Sequence, residues 1–197
     1  MDVEFIRSGE RTYHCIAYRH DGVCLRVSGA GRILPLPHDL VHFVIERELG
    51  LTGGFWGSVA DGVLFGSITV VSGRQRPHAA ERSRTLLRAN AELLLQAEVV
   101  AGALDAIVAE GADANAQQAL RRLNEAQSAV RIGRVPMDVV GLRRVCAVLR
   151  EAADGWQKLP FDQPLALRWP EGGRERTRRS HRERRRQRAS AAGAGAA

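Results

Sequence analysis

Two histidines four residues apart are the feature of the sequence that most clearly suggests chemistry. His38 and His42 lie in the segment HDLVHFVIERELG, whose apolar periodicity predicts a helix that ends at Gly50. Side chains four positions apart on a helix stand one above the other, so both imidazoles can face one cation. Glu46 extends the same face by another turn. The spacing therefore predicts a divalent metal site with His38, His42 and Glu46 as ligands and zinc as the metal.

The acidic residue after the first histidine gives the segment a partial resemblance to a catalytic motif. The stretch from His38 to His42 resembles the HExxH motif of zinc-dependent metalloproteases, with Asp39 in the position of the glutamate. This resemblance implies that Asp39 takes a proton from a water on the metal, and that the protein is a metal-dependent hydrolase. Asp61, farther along the chain, is another carboxylate that could complete the ligand set.

An interpretation of the same residues as ordinary scaffold stays open. Asp39 follows Pro37 near the start of the predicted helix, where a carboxylate stabilises the free backbone amides and the positive end of the helix dipole. His38 and His42 are then half-buried polar residues at a contact between helix and sheet.

A longer stretch resembles a group of small uncharacterised proteins from high-GC bacteria. The similarity covers about residues 33–66, and its most distinctive part is LPHDLVHFVIERELGL followed by GFWG. The resemblance implies a bacterial origin and a shared signature in PHDLVHF and GFWG. It carries no activity that could be transferred.

The elements that must position these residues favour an α+β fold. Alternating apolar and polar residues in the first thirty positions predict three short strands, with Asp21 and Gly22 in a hairpin turn. Continuous β-branched and aromatic residues predict another strand over 63–71, and alternation predicts a last strand over 165–169. Because strands lie at both ends of a helical middle, we expect a small antiparallel sheet packed against the His38 helix and further helices.

The helical middle, from Ala79 to Ala153, is expected to form an array of helical hairpins. Apolar residues that recur every seven positions predict one long amphipathic helix that ends at Gly111. They are Leu86, Leu93, Val100 and Ile107. Two more helices follow and are separated near Gly133. The heptad spacing also leaves a homodimer open.

Positive charge is concentrated at the end of the chain. The sequence has 29 lysines and arginines against 22 acidic residues, and residues 171–197 alone contain nine arginines and three glutamates. That segment lacks apolar periodicity. We therefore predict a single α+β domain over residues 1–170 and a disordered Arg-rich tail over residues 171–197.

The tail supports a second hypothesis, in which the protein is a non-enzymatic adaptor or a nucleic-acid-associated module. Its arginine cluster would attract phosphate without sequence preference and in a salt-dependent way. The cluster consists of Arg184, Arg185, Arg186 and Arg188. The chain has a single lysine, Lys158, which also fits a GC-rich genome in which arginine codons accumulate in unconstrained tails. A tail without a ligand is therefore the competing interpretation.

The remaining composition predicts a cytoplasmic protein without a membrane partner. No stretch of the 197 residues approaches the roughly 18 apolar residues that span a bilayer, and the start, MDVEFIRSGER, lacks the pattern of a signal peptide. The three cysteines, Cys15, Cys24 and Cys146, include no CxxC pair, which suits a reducing compartment.

Overall fold

The computed structural model describes residues 1–29, 35–130 and 133–170, and it confirms the α+β fold class. The strands are β1 (Asp2–Arg7), β2 (Tyr13–Tyr18), β3 (Cys24–Ser28), β4 (Ile68–Ser72) and β5 (Pro164–Arg168). The helices are α1 (His38–Leu49), α2 (Phe55–Asp61), α3 (Ala79–Ala89), α4 (Ala91–Ala109), α5 (Ala116–Ala129) and α6 (Val139–Lys158), with a 3₁₀ turn at Ala112–Ala114. The predicted tail, residues 171–197, lies outside the described residues.

All five strands form one antiparallel sheet in the order β4-β3-β2-β1-β5. The hairpin between β2 and β3 turns where the sequence predicts, with Gly22 at a φ of 80° that favours glycine. β5 returns from the far end of the chain and pairs with β1, placing Leu165 opposite Phe5. Buried residues alternate with more exposed ones along β1, β2 and β3. Since successive side chains point to opposite faces, one face of the sheet is buried.

Helix α1 lies in the interior of the fold. Seven consecutive residues, from Leu40 to Glu46, are buried, whereas a surface helix buries only one stripe. Phe43 packs edge-on against Phe5 of the sheet with 5.6 Å between ring centroids, and other residues of α1 contact α2, α4 and α6. The polar side chains of His42 and Glu46 are consequently enclosed, where their nitrogen and oxygen atoms need partners.

The strand predicted over residues 63–71 is shorter than expected and begins at Ile68. The chain leaves α2 through Gly62, which has a φ of 106°, and Val63 is buried before the strand starts. A turn at Gly66 and Ser67 then precedes the sheet. The first residues of the apolar run are therefore part of the core without being in the strand, and only the later ones form β4. Composition alone does not distinguish these two parts.

The prediction of one continuous helix through Leu86 and Ile107 is wrong. The chain forms two helices that meet at Asn90, whose side chain donates a hydrogen bond to Oγ of Ser58 at 3.0 Å. Leu93 is 46% exposed, so the heptad seam is buried only from Ala97 onward. No helix within the described ranges has the combination of length and apolar character that a membrane span requires.

Candidate metal centre

Helix α1 begins at His38, directly after Pro37, so both histidines lie in its first two turns. The rings of His38 and His42 are neighbours, with 4.5 Å between centroids and planes tilted by 47°. This is the arrangement that their spacing predicts, because residues four apart share a helix face.

Glu98 of α4 completes a group of three. Its Oε1 lies 3.5 Å from Nε2 of His38, and its Oε2 lies 3.2 Å from Nε2 of His42. One nitrogen or oxygen atom of each residue lies within 4.8 Å of the others, which is close enough for all three to bind one ion. The side chains of His38 and Glu98 are 53% and 59% exposed, so the group is open to solvent on one side.

The two ring nitrogens of His42 have different environments. Nδ1 lies 3.1 Å from Oε1 of Glu46, a carboxylate that can only accept, so Nδ1 donates. Nε2 is buried, and among the described residues no hydrogen bond reaches it. Its nearest charged neighbour there is Glu98, whose Oε2 lies 3.2 Å away. A buried nitrogen that faces a carboxylate in this way is suited to share a cation with it.

The electrostatics of His42 also favour positive charge at this position. Burial lowers the pKa of His42, but its interactions with Glu46 and Glu98 outweigh burial and raise the pKa from 6.5 to about 9. The close polar contact with His42, together with the charges of the two histidines, lowers the pKa of Glu98 to about 2, against the opposing effect of burial. Without a metal, an imidazolium proton supplies the cation between the two carboxylates.

Glu46 lies on the inner side of His42, away from the open edge of the group. Its carboxylate accepts hydrogen bonds from the backbone amides of Phe55 and Trp56, both at 2.9 Å. These amides belong to the first turn of α2, so Glu46 occupies the place where a capping group is needed. The structure thus brings His38 and His42 together with Glu98, and it places the predicted ligand Glu46 behind His42.

Asp39 faces the sheet and lies outside the group of three ligand candidates. Its Oδ2 accepts a hydrogen bond from the hydroxyl of Tyr13 at 2.6 Å, and its backbone oxygen accepts one from Nε1 of Trp56 at 2.7 Å. Burial raises the pKa of Asp39, although the Tyr13 hydrogen bond and the two nearby histidines act against it. The pKa of Tyr13 is also raised, first by burial and then by Asp39, so this hydroxyl remains a donor.

Asp61, the other candidate carboxylate, lines a different part of the surface. It borders a cleft of about 860 Å³ whose lining also includes Arg19, Arg76 and Arg82. Arg19 is paired with Asp21 at 2.6 Å. The structure therefore does not bring Asp61 into the group formed by the histidines and Glu98.

Glu98 is the residue that sequence reasoning missed. It is one of three carboxylates in the largely apolar stretch AELLLQAEVVAGALDAIVA of α4, and buried side chains lie near it at Ala97, Val100 and Ala101. The sequence signal that could have pointed to Glu98 as a site residue is an acidic side chain next to the buried stripe of α4. Which ligand it faces depends on how α4 packs against α1, and periodicity alone does not give that contact.

Comparisons with protein-family models, with curated proteins and with solved structures returned no match for this chain. The four arginines predicted to bind polyanions, Arg184, Arg185, Arg186 and Arg188, lie outside the described residues. Their role stays a prediction.

Proposed function

We propose that the protein binds a divalent metal, with zinc as the first choice, through His38, His42 and Glu98. The observation that carries this proposal is the buried Nε2 of His42, which receives no hydrogen bond from the part of the chain that the structure describes and which faces Glu98 at 3.2 Å. His38 presents a second imidazole nitrogen beside it. Two imidazoles and one carboxylate are a donor set that zinc accepts, whereas magnesium and calcium prefer oxygen ligands throughout.

The arrangement of exposed and buried ligands favours a catalytic site over a structural one. Structural zinc sites have four protein ligands, and catalytic sites have three with a further position open to water or substrate. Within residues 1–29, 35–130 and 133–170 the candidate ligands are three, and two of them are more than half exposed. Zinc held by His38, His42 and Glu98 would lower the pKa of a bound water to about 7 and would thereby supply a nucleophile for hydrolysis.

The chain would contribute a proton acceptor through Asp39. This carboxylate follows the first ligand directly, as the glutamate does in the motif that the segment resembles. The hydroxyl of Tyr13 holds one of its oxygens at 2.6 Å and fixes its orientation. We therefore propose metal-dependent hydrolysis as the activity, with Asp39 as the base. This role rests on the position of Asp39 in the motif, because its Oδ2 is bound by Tyr13 of the sheet.

Metal content and affinity test the binding half of the proposal. Purified protein should bind about one zinc per chain, and His38→Ala or Glu98→Gln should weaken binding by more than the roughly 10- to 100-fold typical of changes outside the ligand set. Glu92→Gln is a matched control, because Glu92 lies on the exposed surface of the same helix. Equal zinc affinity in the wild type and in Glu98→Gln would overturn the proposed site.

Hydrolysis of p-nitrophenyl acetate tests the catalytic half. Zinc-loaded protein should release nitrophenolate faster than metal-free protein, and Asp39→Asn should reduce the rate by the roughly 10²- to 10⁴-fold that a general base contributes while zinc remains bound. A zinc-loaded protein that is no faster than its metal-free form would overturn the hydrolase assignment and leave only a metal-binding protein.

A further inference from the structure

In the described part of the chain, the carboxylate of Glu46 has three hydrogen-bonding neighbours, and each of them acts as a donor. Its Oε1 accepts hydrogen bonds from Nδ1 of His42 at 3.1 Å and from the amide of Phe55 at 2.9 Å. Its Oε2 accepts one from the amide of Trp56 at 2.9 Å. The side chain is completely buried. Backbone N–H groups only donate, so Glu46 acts as an acceptor toward α2, which favours its ionised form.

This arrangement determines which nitrogen of His42 carries the proton. Because Oε1 of Glu46 accepts, the neutral imidazole places its proton on Nδ1 and its lone pair on Nε2. Nε2 is the atom that faces Glu98 and stands beside His38. The opposite tautomer would direct a proton into the metal position and leave a lone pair against a carboxylate.

We propose that Glu46 is a positioning residue that fixes the tautomer and ring orientation of His42, so that Nε2 is available to a divalent metal. This inference rests on the proposed metal site and assigns Glu46 a place outside the ligand set. When a carboxylate accepts a hydrogen bond from the ring nitrogen that does not bind the metal, it raises the basicity of the imidazole and restricts its rotation.

Two glycines at the start of α2 allow the chain to pack closely around Glu46. A Cβ atom added at Gly54 would lie 2.4 Å from the carboxyl carbon of Glu46, which is closer than any ordinary contact. A Cβ at Gly57 would lie 2.1 Å from the backbone oxygen of Thr52. Gly54 therefore lets the chain approach Glu46 of α1 through bare backbone, and Gly57 lets the first turn of α2 pack against the loop at Thr52. Together they allow the segment GFWG to hold the carboxylate beside His42.

Substitution of Glu46 by an amide of the same shape tests the proposal. In Glu46→Gln the side-chain NH₂ group cannot accept, so the amides of α2 and the ring of His42 compete for a single oxygen. Zinc affinity, measured by competition with a chromophoric chelator, should fall roughly 10- to 100-fold. Glu48→Gln, on the partly exposed side of α1, is the matched control and should bind zinc as the wild type does.

A spectroscopic measurement on the wild type separates positioning from mere stabilisation. In ¹⁵N-histidine-labelled, zinc-loaded protein, two-bond ¹H–¹⁵N spectra should show the His42 proton on Nδ1 and the metal on Nε2. A proton on Nε2 would overturn the proposal even if Glu46→Gln fails to fold. Wild-type zinc affinity in a folded Glu46→Gln would also overturn it and leave the metal site intact, whereas a wild type that binds no zinc would reject the proposed function itself.

Discussion

Oε2 of Glu98 lies 3.2 Å from Nε2 of His42, which joins the middle of α4 to the buried face of α1. The contact links an exposed carboxylate with a histidine whose side chain is only 6% exposed. On the other side of the ring, Nδ1 donates a hydrogen bond to Oε1 of Glu46. His42 thus lies between two carboxylates. A cation at Nε2 would bind the lone pair of the ring and also neutralise the charge of Glu98.

The stability of the metal-free protein should depend on pH through His42. The folded pKa of about 9 lies above the ordinary value of 6.5, so this residue stabilises the fold fully below pH 6.5 and loses its contribution as pH rises through 9. Urea unfolding in the presence of EDTA should show a larger loss of free energy over this range in the wild type than in His42→Gln. Parallel curves for the two proteins would contradict the assignment.

The hydrogen bond between Tyr13 and Asp39 should contribute measurably to stability. Tyr13→Phe removes the donor from a carboxylate that burial already disfavours, which should cost about 1–3 kcal/mol of unfolding free energy. Tyr18→Phe is the control, because its hydroxyl donates to Glu4 at 3.2 Å on an exposed surface, and its loss should change stability by less than about 0.5 kcal/mol. Equal effects of the two substitutions in urea unfolding would show that the hydrogen bond to Asp39 contributes no more to the free energy of unfolding than an exposed one.

Two glycine substitutions should have opposite effects on stability. Gly54→Ala inserts a methyl group 2.4 Å from the carboxyl carbon of Glu46 and should destabilise the fold by about 1–3 kcal/mol. Gly102→Ala lies in α4 with open space around the new Cβ atom, and it should stabilise the fold by about 0.5–1 kcal/mol. Thermal unfolding of both variants measures the difference. A Gly54→Ala variant as stable as the wild type would mean that the loop does not hold Glu46 closely.

Thiol reactivity should distinguish the three cysteines. Burial raises the pKa of Cys15 well above its ordinary value, and it raises the pKa of Cys146 to about 11, so neither is a good nucleophile near neutral pH. Cys24 is the partly exposed one. Ellman's reagent at pH 7.5 should therefore titrate about one thiol in the native protein and all three after denaturation. Rapid reaction of Cys15 would contradict the buried face of the sheet.

The Arg-rich segment has its own test. If Arg184, Arg185, Arg186 and Arg188 bind polyanions, the affinity of the full chain for duplex DNA should fall steeply with added salt, and deletion of residues 171–197 should abolish binding. Fluorescence anisotropy with a labelled duplex measures both effects. Unchanged binding after the deletion would exclude the segment as the binding element.

The sequence predicts much of the fold because local patterns determine it. The strand alternation, the Asp21-Gly22 turn and the end of α1 at Gly50 depend on neighbouring residues, and the structure contains all three. The break at Asn90 was not predicted, since the heptad pattern continues through it. Its cause includes a tertiary hydrogen bond to Ser58, which is far away in the sequence.

The candidate site is predictable only where it lies within one helix. His38 and His42 meet because of their spacing, which a sequence shows directly. Glu46 lies on the same helix, but its partners are amides of α2, and helix periodicity says nothing about them. Glu98 belongs to another helix, so its approach depends on how α1 and α4 pack. The ligand pair thus follows from sequence, and the third candidate follows from tertiary structure.

The most direct test of the central claim is an anomalous difference map, recorded at the zinc edge from crystals grown with zinc. The account predicts one strong peak about 2.0–2.2 Å from Nε2 of His38, Nε2 of His42 and a carboxylate oxygen of Glu98, with Glu46 on Nδ1 of His42. A map without a peak at these three residues, or with the metal bound by Glu46, would contradict it.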